Sequence, residues 1–127
     1  MKLDRIIVHC SASGWGSAAE IRRWHLARGW RDIGYHFVIG NGWSRPDTFF
    51  SGYDGNVEIG RVLDGDGIIT AEEKGAHALG YNGRSIGVCL IGTESFTAQQ
   101  FAALIRLLDS LKRKYNMLIG ERTAEQI

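Results

Sequence analysis

Arg5-Ile6-Ile7-Val8-His9-Cys10 is an unbroken run, rich in β-branched residues, that ends on an imidazole and a thiol. It has no polar face to offer water, so it reads as a strand covered on both sides. Strands of that kind belong to sheets packed between helices. Gly34-Tyr35-His36-Phe37-Val38-Ile39 reads as a second apolar strand. The Asp54-Gly55-Asn56 turn leads into a short strand, Val57 to Val62, and Ser85-Ile86-Gly87-Val88-Cys89-Leu90-Ile91 is a further core strand. Ser17 and Glu20 make a capping box that opens a helix through Ile21, Trp24, His25 and Arg28, and Gly29 closes it. A second capping box, Thr97 and Gln100, opens the last helix, with Phe96 and Phe101 placed as a hydrophobic staple. Phe101, Leu104, Ile105, Leu108, Leu111 and Tyr115 follow at helical spacing, and Lys112, Arg113 and Lys114 form a solvated basic end. Ala71 to Ala78 predicts a short helix. Gly40 to Gly55, with Trp43, Pro46, Phe49, Phe50 and Tyr53, predicts a long loop. The pattern as a whole predicts an α/β domain, a mixed central β-sheet flanked by α-helices.

Composition bounds the function. The 127 residues make one domain, long enough to bury a core without disulfides. A net charge of +1, 44% hydrophobic and 23% charged residues exclude a disordered chain and a strongly basic nucleic-acid binder. No apolar run approaches the roughly 18 residues that a membrane helix needs. The start lacks the charged, apolar and small-residue regions of a signal peptide, so synthesis in the cytoplasm is expected. Cys10 and Cys89 are then expected to be free thiols. The Gly65-Asp66-Gly67 stretch is too short for an EF-hand loop. No phosphate loop, dinucleotide fingerprint or nucleophile elbow is present.

Histidine is the residue type that could carry chemistry. His9, at the end of a buried strand before a Ser-Ala-Ser-Gly loop, suits a metal ligand or a catalytic base, or simply a satisfied core histidine. Cys10 points to the opposite strand face, so the two do not form a thiol–imidazole pair. Tyr35 and His36 are neighbours on a strand, so the pattern sends them to opposite sides. Tyr35 could present its hydroxyl as donor or general acid/base, or be a core tyrosine. His25 reads as packing. His77 and Asn82 sit in a glycine-bounded polar loop, Gly75 to Asn82, open to close ligand approach. The loop aromatics could stack on sugars, bind a partner, or fold into a local core.

Taken in order, several blocks resemble one family. They are the β-branched run into His9-Cys10-Ser11-Ala12-Ser13, Ile21-Arg22-Arg23-Trp24-His25, and Gly29-Trp30-Arg31-Asp32-Ile33-Gly34-Tyr35-His36-Phe37. Val57-Glu58-Ile59-Gly60-Arg61, Gly75-Ala76-His77-Ala78-Leu79-Gly80-Tyr81-Asn82 and Ser85-Ile86-Gly87-Val88-Cys89-Leu90 complete the set. They are similar to the type-2 N-acetylmuramoyl-L-alanine amidases, a family of phage endolysins and peptidoglycan recognition proteins. The resemblance implies a zinc-dependent peptidoglycan amidase that hydrolyses the amide between N-acetylmuramic acid and L-alanine of the stem peptide. It implies His9 as a zinc ligand, Tyr35 as the catalytic residue beside the metal, and His77 and Asn82 along the substrate cleft. Bacterial peptidoglycan is then the partner, reached in the cell wall after release, with no nucleic acid and no membrane.

The family's other two zinc ligands, a histidine and a cysteine or aspartate, follow the last helix. Here no histidine follows His77 and no cysteine follows Cys89; Glu121, after Ile119-Gly120, could be aligned to the missing histidine. The expectation is therefore a single amidase-like domain over 1–127 that lacks its C-terminal end and binds zinc weakly. The alternative is a non-catalytic, zinc-free muropeptide-binding module on the same fold. A third reading is a partner-binding protein that uses the aromatic loop.

Overall fold

The computed structural model describes residues 2–115. Glu121, Ile119-Gly120 and the terminal Ala124-Glu125-Gln126-Ile127, singled out above, lie outside the described residues. The chain runs β1 (Arg5–Cys10), α1 (Ala18–Ala27), β2 (Phe37–Arg45), β3 (Thr48–Ile59), β4 (Ser85–Leu90) and α2 (Ala98–Tyr115). The sheet order is β1-β4-β2-β3, with β4 parallel to both β1 and β2, and β3 antiparallel to β2. This is the mixed sheet expected. The last strand in sequence is inserted between the first two, so the sheet closes only when β4 arrives.

Alternation along the strands gives the sheet two unlike faces. Ile6, Ile39, Ile86, Val88 and Leu90 point one way and pack with Ala103, Leu111 and Tyr115 of α2. Val38, Cys89 and Ile91 point the other way, against Ala18, Ile21 and Trp24 of α1. His9 and Gly87 share this second face, since they stand at the same alternation as Cys89. Among the described residues no helix is long and apolar enough to cross a membrane.

The helix starts form as their sequences dictate. Ser17 Oγ accepts from the Glu20 amide, and Gly29 takes a positive φ of 90° behind α1. At α2, Thr97 Oγ1 accepts from the Gln100 amide while Gln100 Oε1 accepts from the Thr97 amide, and the Phe96 and Phe101 rings meet at 6.1 Å.

Three expectations are corrected. The Gly40–Gly55 segment is not a loop: it is the distal part of the β2–β3 hairpin, paired from Asn41–Asp54 to Arg45–Thr48 through irregular register. Trp43 and Phe49 face each other across it and stay exposed with Phe50, while Tyr53 turns in and hydrogen-bonds Glu58. Ala71 to Ala78 forms turns and no helix. Its amides are drawn elsewhere, Ala76 N–H to the Gly34 carbonyl, and the Glu73 carboxylate accepts the Asp64 and Thr70 amides. In α2 the buried stripe is Gln100, Ala103, Leu111 and Tyr115, and Phe101 and Ile105 remain exposed.

Gln100 explains that rotation of α2. Its carboxamide is fully buried and donates to the carbonyls of Ile39 and Ile91, at 3.1 and 2.9 Å; the Ile39 carbonyl also accepts the Ile91 amide. The helix turns to aim this group at the sheet. Gln100→Leu would leave the buried Ile91 carbonyl unpaired, at a cost of about 1–3 kcal/mol, while the Ile39 carbonyl would keep the Ile91 amide. The variant is expected to lose about 1–3 kcal/mol in urea unfolding; a loss below about 0.5 kcal/mol would show that the clamp is dispensable.

Candidate active site

Tyr35 and His36 reach the same region. The strand expected from Gly34 begins at Phe37, and residues 34–36 are fixed by other bonds. Gly34 N–H donates to His25 Nδ1, His36 N–H to the Gly87 carbonyl, and Arg61 N–H to the Tyr35 carbonyl. Strict alternation therefore does not apply. The Tyr35 and His36 rings lie 6.4 and 5.8 Å from the ring of His77. His77 also lies 4.9 Å from the His9 ring, and Tyr35 lies 5.3 Å from it on another side.

The four histidines differ in how their nitrogens are used. His36 Nδ1 accepts from the Gly87 amide and its Nε2 donates to the Glu73 carbonyl at 2.6 Å. It is a structural tie between the sheet and the 71–78 segment. His25 is buried as expected and accepts from Gly34. His77 Nδ1 faces His9 Nε2 at 2.8 Å, and its Nε2 faces the Ser85 hydroxyl at 3.3 Å. His9 is fully buried, and its Nδ1 is the one buried side-chain N or O atom without a partner among the described residues. Such an atom calls for an explanation, and an open ligand position is one.

A cleft of about 480 Å³ lies beside this cluster, lined by His25, Arg28, Trp30, Tyr35, Ala76, His77, Ala78, Leu79 and Asn82. Asn82 shapes its rim from within: its Oδ1 accepts the His77 and Ala78 amides, both at 2.9 Å. His77 and Asn82 thus stand at the cleft. His77, with both nitrogens engaged, offers a ligand only its ring. Burial, with the Cys89 thiol nearby, raises the Tyr35 hydroxyl's pKa well above the usual tyrosine value, so it stays protonated at neutral pH. A larger groove of about 580 Å³ runs past Lys2, Gly67 and Tyr115, and no histidine lines it.

One group of three metal-type donors exists among the described residues, Asp64, Asp66 and Glu73. Their oxygens already accept backbone amides, Glu73 from Asp64 and Thr70, Asp64 from Asp66, and Asp66 from Ile68. They act as turn clamps. At His9 the fit to a metal is by one donor: a buried imidazole nitrogen with no competitor. Among the described residues no group of three such donors includes it.

Sequence reading missed Ser85, Gly87, Arg28 and Trp30. Gly87 carried a signal, since a glycine inside a strand marks close approach by another group. A Cβ there would stand 2.5 Å from His77 Cγ.

With this geometry in hand, comparison with known proteins places the chain. A family model described as N-acetylmuramoyl-L-alanine amidase matches residues 1–124. The endolysin of Escherichia phage T7 is 40% identical over 123 residues, covering 88% of this chain and 68% of that protein. The endolysin of Klebsiella phage KP32 is 39% identical over the same length, with the same shares covered. Among solved structures, the N-acetylmuramoyl-L-alanine amidase LysC from Clostridium intestinale superposes with a TM-score of 0.72 at 28% identity, over 98% of this chain and 70% of LysC. Bumblebee PGRP-SA gives a TM-score of 0.72 at 26% identity, over 100% of this chain and 72% of its own. The fold and the cleft are those of an amidase-class hydrolase. The chain belongs to the N-acetylmuramoyl-L-alanine amidase family.

Burial also sets the protonation of the cluster. It holds His9, His25 and His36 at about 4, and His77 at about 3 with the nearby His9 and His36 adding to the effect. An unfolded histidine takes its proton near about 6.5. The folded protein refuses protons that the unfolded chain accepts, so stability is complete above that value and falls as pH drops toward 4. The urea midpoint of metal-free protein is therefore expected to fall steadily from about pH 6.5 to about 4.5, with proton uptake on unfolding. A flat midpoint across that window would show that these rings are not buried in neutral form.

Proposed function

We propose that the chain is a single amidase-like domain of the zinc-dependent, endolysin type. Its reaction is hydrolysis of the peptidoglycan amide between N-acetylmuramic acid and L-alanine. The observation that carries this reading is His9 Nδ1, a buried imidazole nitrogen without a partner beside the Tyr35 ring. Family membership and the endolysin relatives support the substrate class. Zinc, when bound, supplies an acidified water and polarises the scissile carbonyl. Among the described residues His9 alone would hold it. A catalytic zinc site takes three protein donors, and no group of three among the described residues includes His9.

The chain's own residues have definable tasks. Tyr35, held protonated by burial, donates a hydrogen bond to the oxygen that gains charge as the amide carbon becomes tetrahedral. It is a donor there and not a base. Arg28 is the one charged residue lining the cleft, and its guanidinium lies over the Trp30 ring. It suits the free carboxylates of a stem peptide. Asn82 keeps the His77–Leu79 rim in place for the same peptide. Synthesis inside the cell and action on the wall after release fit this use.

A second reading rests on the single donor: a zinc-free module on this fold would bind muropeptides in the same cleft without cutting them. Zinc content of the purified protein and pull-down on insoluble peptidoglycan separate the two.

Digestion of peptidoglycan by the zinc-loaded protein should release free stem peptides and leave glycan chains intact by mass analysis. New reducing ends without free peptides would sink the amidase reading. Tyr35→Phe should keep its zinc and lose roughly 10²–10³-fold in turnover; equal activity of the two proteins would remove Tyr35 from catalysis.

A further inference from the structure

The ring of His77 is built into the sheet face. It fills the space that Gly87 leaves open, and a Cβ on Gly75 would come within 2.7 Å of its Cδ2. Seated there, it touches Ser85 with one nitrogen and His9 with the other. The direction of these hydrogen bonds follows from Ser85. Its hydroxyl has one hydrogen, and the Tyr81 carbonyl takes it at 2.7 Å. What the hydroxyl offers His77 is therefore a lone pair. His77 Nε2 must carry the hydrogen to meet it. In a neutral ring Nδ1 is then bare and accepts from His9 Nε2–H. His9 in turn is left with a bare Nδ1, the atom buried without a partner. The opposite direction would strand a buried N–H on His9 with no acceptor.

We propose that Ser85 and His77 form a positioning relay that sets the tautomer and orientation of His9, so that His9 presents Nδ1 as its ligand atom. The link is Tyr81 carbonyl, Ser85 hydroxyl, His77, His9, and it runs from β4 through the 75–82 loop to the end of β1. His77 acts through His9 and is a positioning residue. A partner on the far nitrogen of a ligating histidine fixes its ring and raises its basicity. The purpose of the relay rests on the zinc reading of His9. Its hydrogen-bond direction does not.

The test begins on metal-free full chain. Long-range proton–nitrogen correlation spectra of the imidazoles report which ring nitrogen carries the hydrogen. His9 is expected as the Nε2–H tautomer at neutral pH. His77→Phe should leave His9 as a mixture of tautomers, whereas His77→Asn, whose amide oxygen can replace Nδ1 as acceptor, should keep the wild-type form. His9 found with its hydrogen on Nδ1 would overturn the proposal. So would a His77→Phe protein that folds and keeps the wild-type tautomer. Zinc titration against a chromophoric chelator adds a second readout: His77→Phe should bind about 10–100-fold more weakly than wild type, and His77→Asn should recover most of the loss. Equal zinc affinity in wild type and His77→Phe also overturns it. Wild type that binds no zinc but shows the expected tautomers counts against the zinc reading alone.

Discussion

A buried imidazole needs a partner for each ring nitrogen, and much of this structure follows from meeting that need on one face of one sheet. Placing a neutral ring in a dry interior costs free energy unless its donor and acceptor are both matched. His36 is matched by a backbone amide and a carbonyl, and His77 by His9 and Ser85. His9 has one nitrogen matched and one left over. The exception stands at the end of β1, beside the tyrosine and the cleft. An energetic deficit persists in a fold where something else is gained from it; in the proposed zinc reading the gain is a ligand atom.

The matching requires segments far apart in sequence to meet within a few ångströms. Gly87 makes room for His77 by having no side chain, and its amide is bonded to His36. The 71–78 segment is too short of regular structure to hold itself, so single side chains tie it down. Arg61, buried, donates to the carbonyls of Ile33 and Lys74, Glu73 gathers two amides, and Asn82 gathers two more. These clamps place backbone that carries the cleft wall. The opposite face of the sheet carries the larger apolar cluster with α2, and polar clamps from Gln100 and Thr97 hold its helix. One face supplies cohesion and the other the chemistry.

The core strands, both helix starts and the character of the class were legible from local signals. Apolar β-branched runs, the N-caps and the staple are short-range effects that formed as read, while at α1 the Glu20 carboxylate turns to Arg23. The hairpin was not legible. Its Gly-rich sequence has no strong alternation, and it becomes a strand pair only because β2 continues beyond the sheet and finds β3 beside it. The helix expected at Ala71–Ala78 failed for a related reason: tertiary acceptors at Gly34 outbid helical ones for its amides. Phe101 and Ile105 looked like core by spacing, but Gln100 needed two sheet carbonyls, and that set the rotation of α2.

Within the site, the sequence by itself determined the kinds of side chain present: a histidine ending a buried strand, a tyrosine ahead of another, and a histidine in a glycine-bounded loop. Periodicity could not choose between ligand, base and core histidine for His9, because those roles differ in what the ring nitrogens touch. What those nitrogens touch is set by the tertiary structure. It brought His77 onto Gly87, aligned Ser85 behind it, and put Tyr35 and His36 on the same side by starting β2 one residue after them. Hydrogen-bond direction is a property of the assembled network, since one hydroxyl hydrogen given to the Tyr81 carbonyl propagates through two rings to His9.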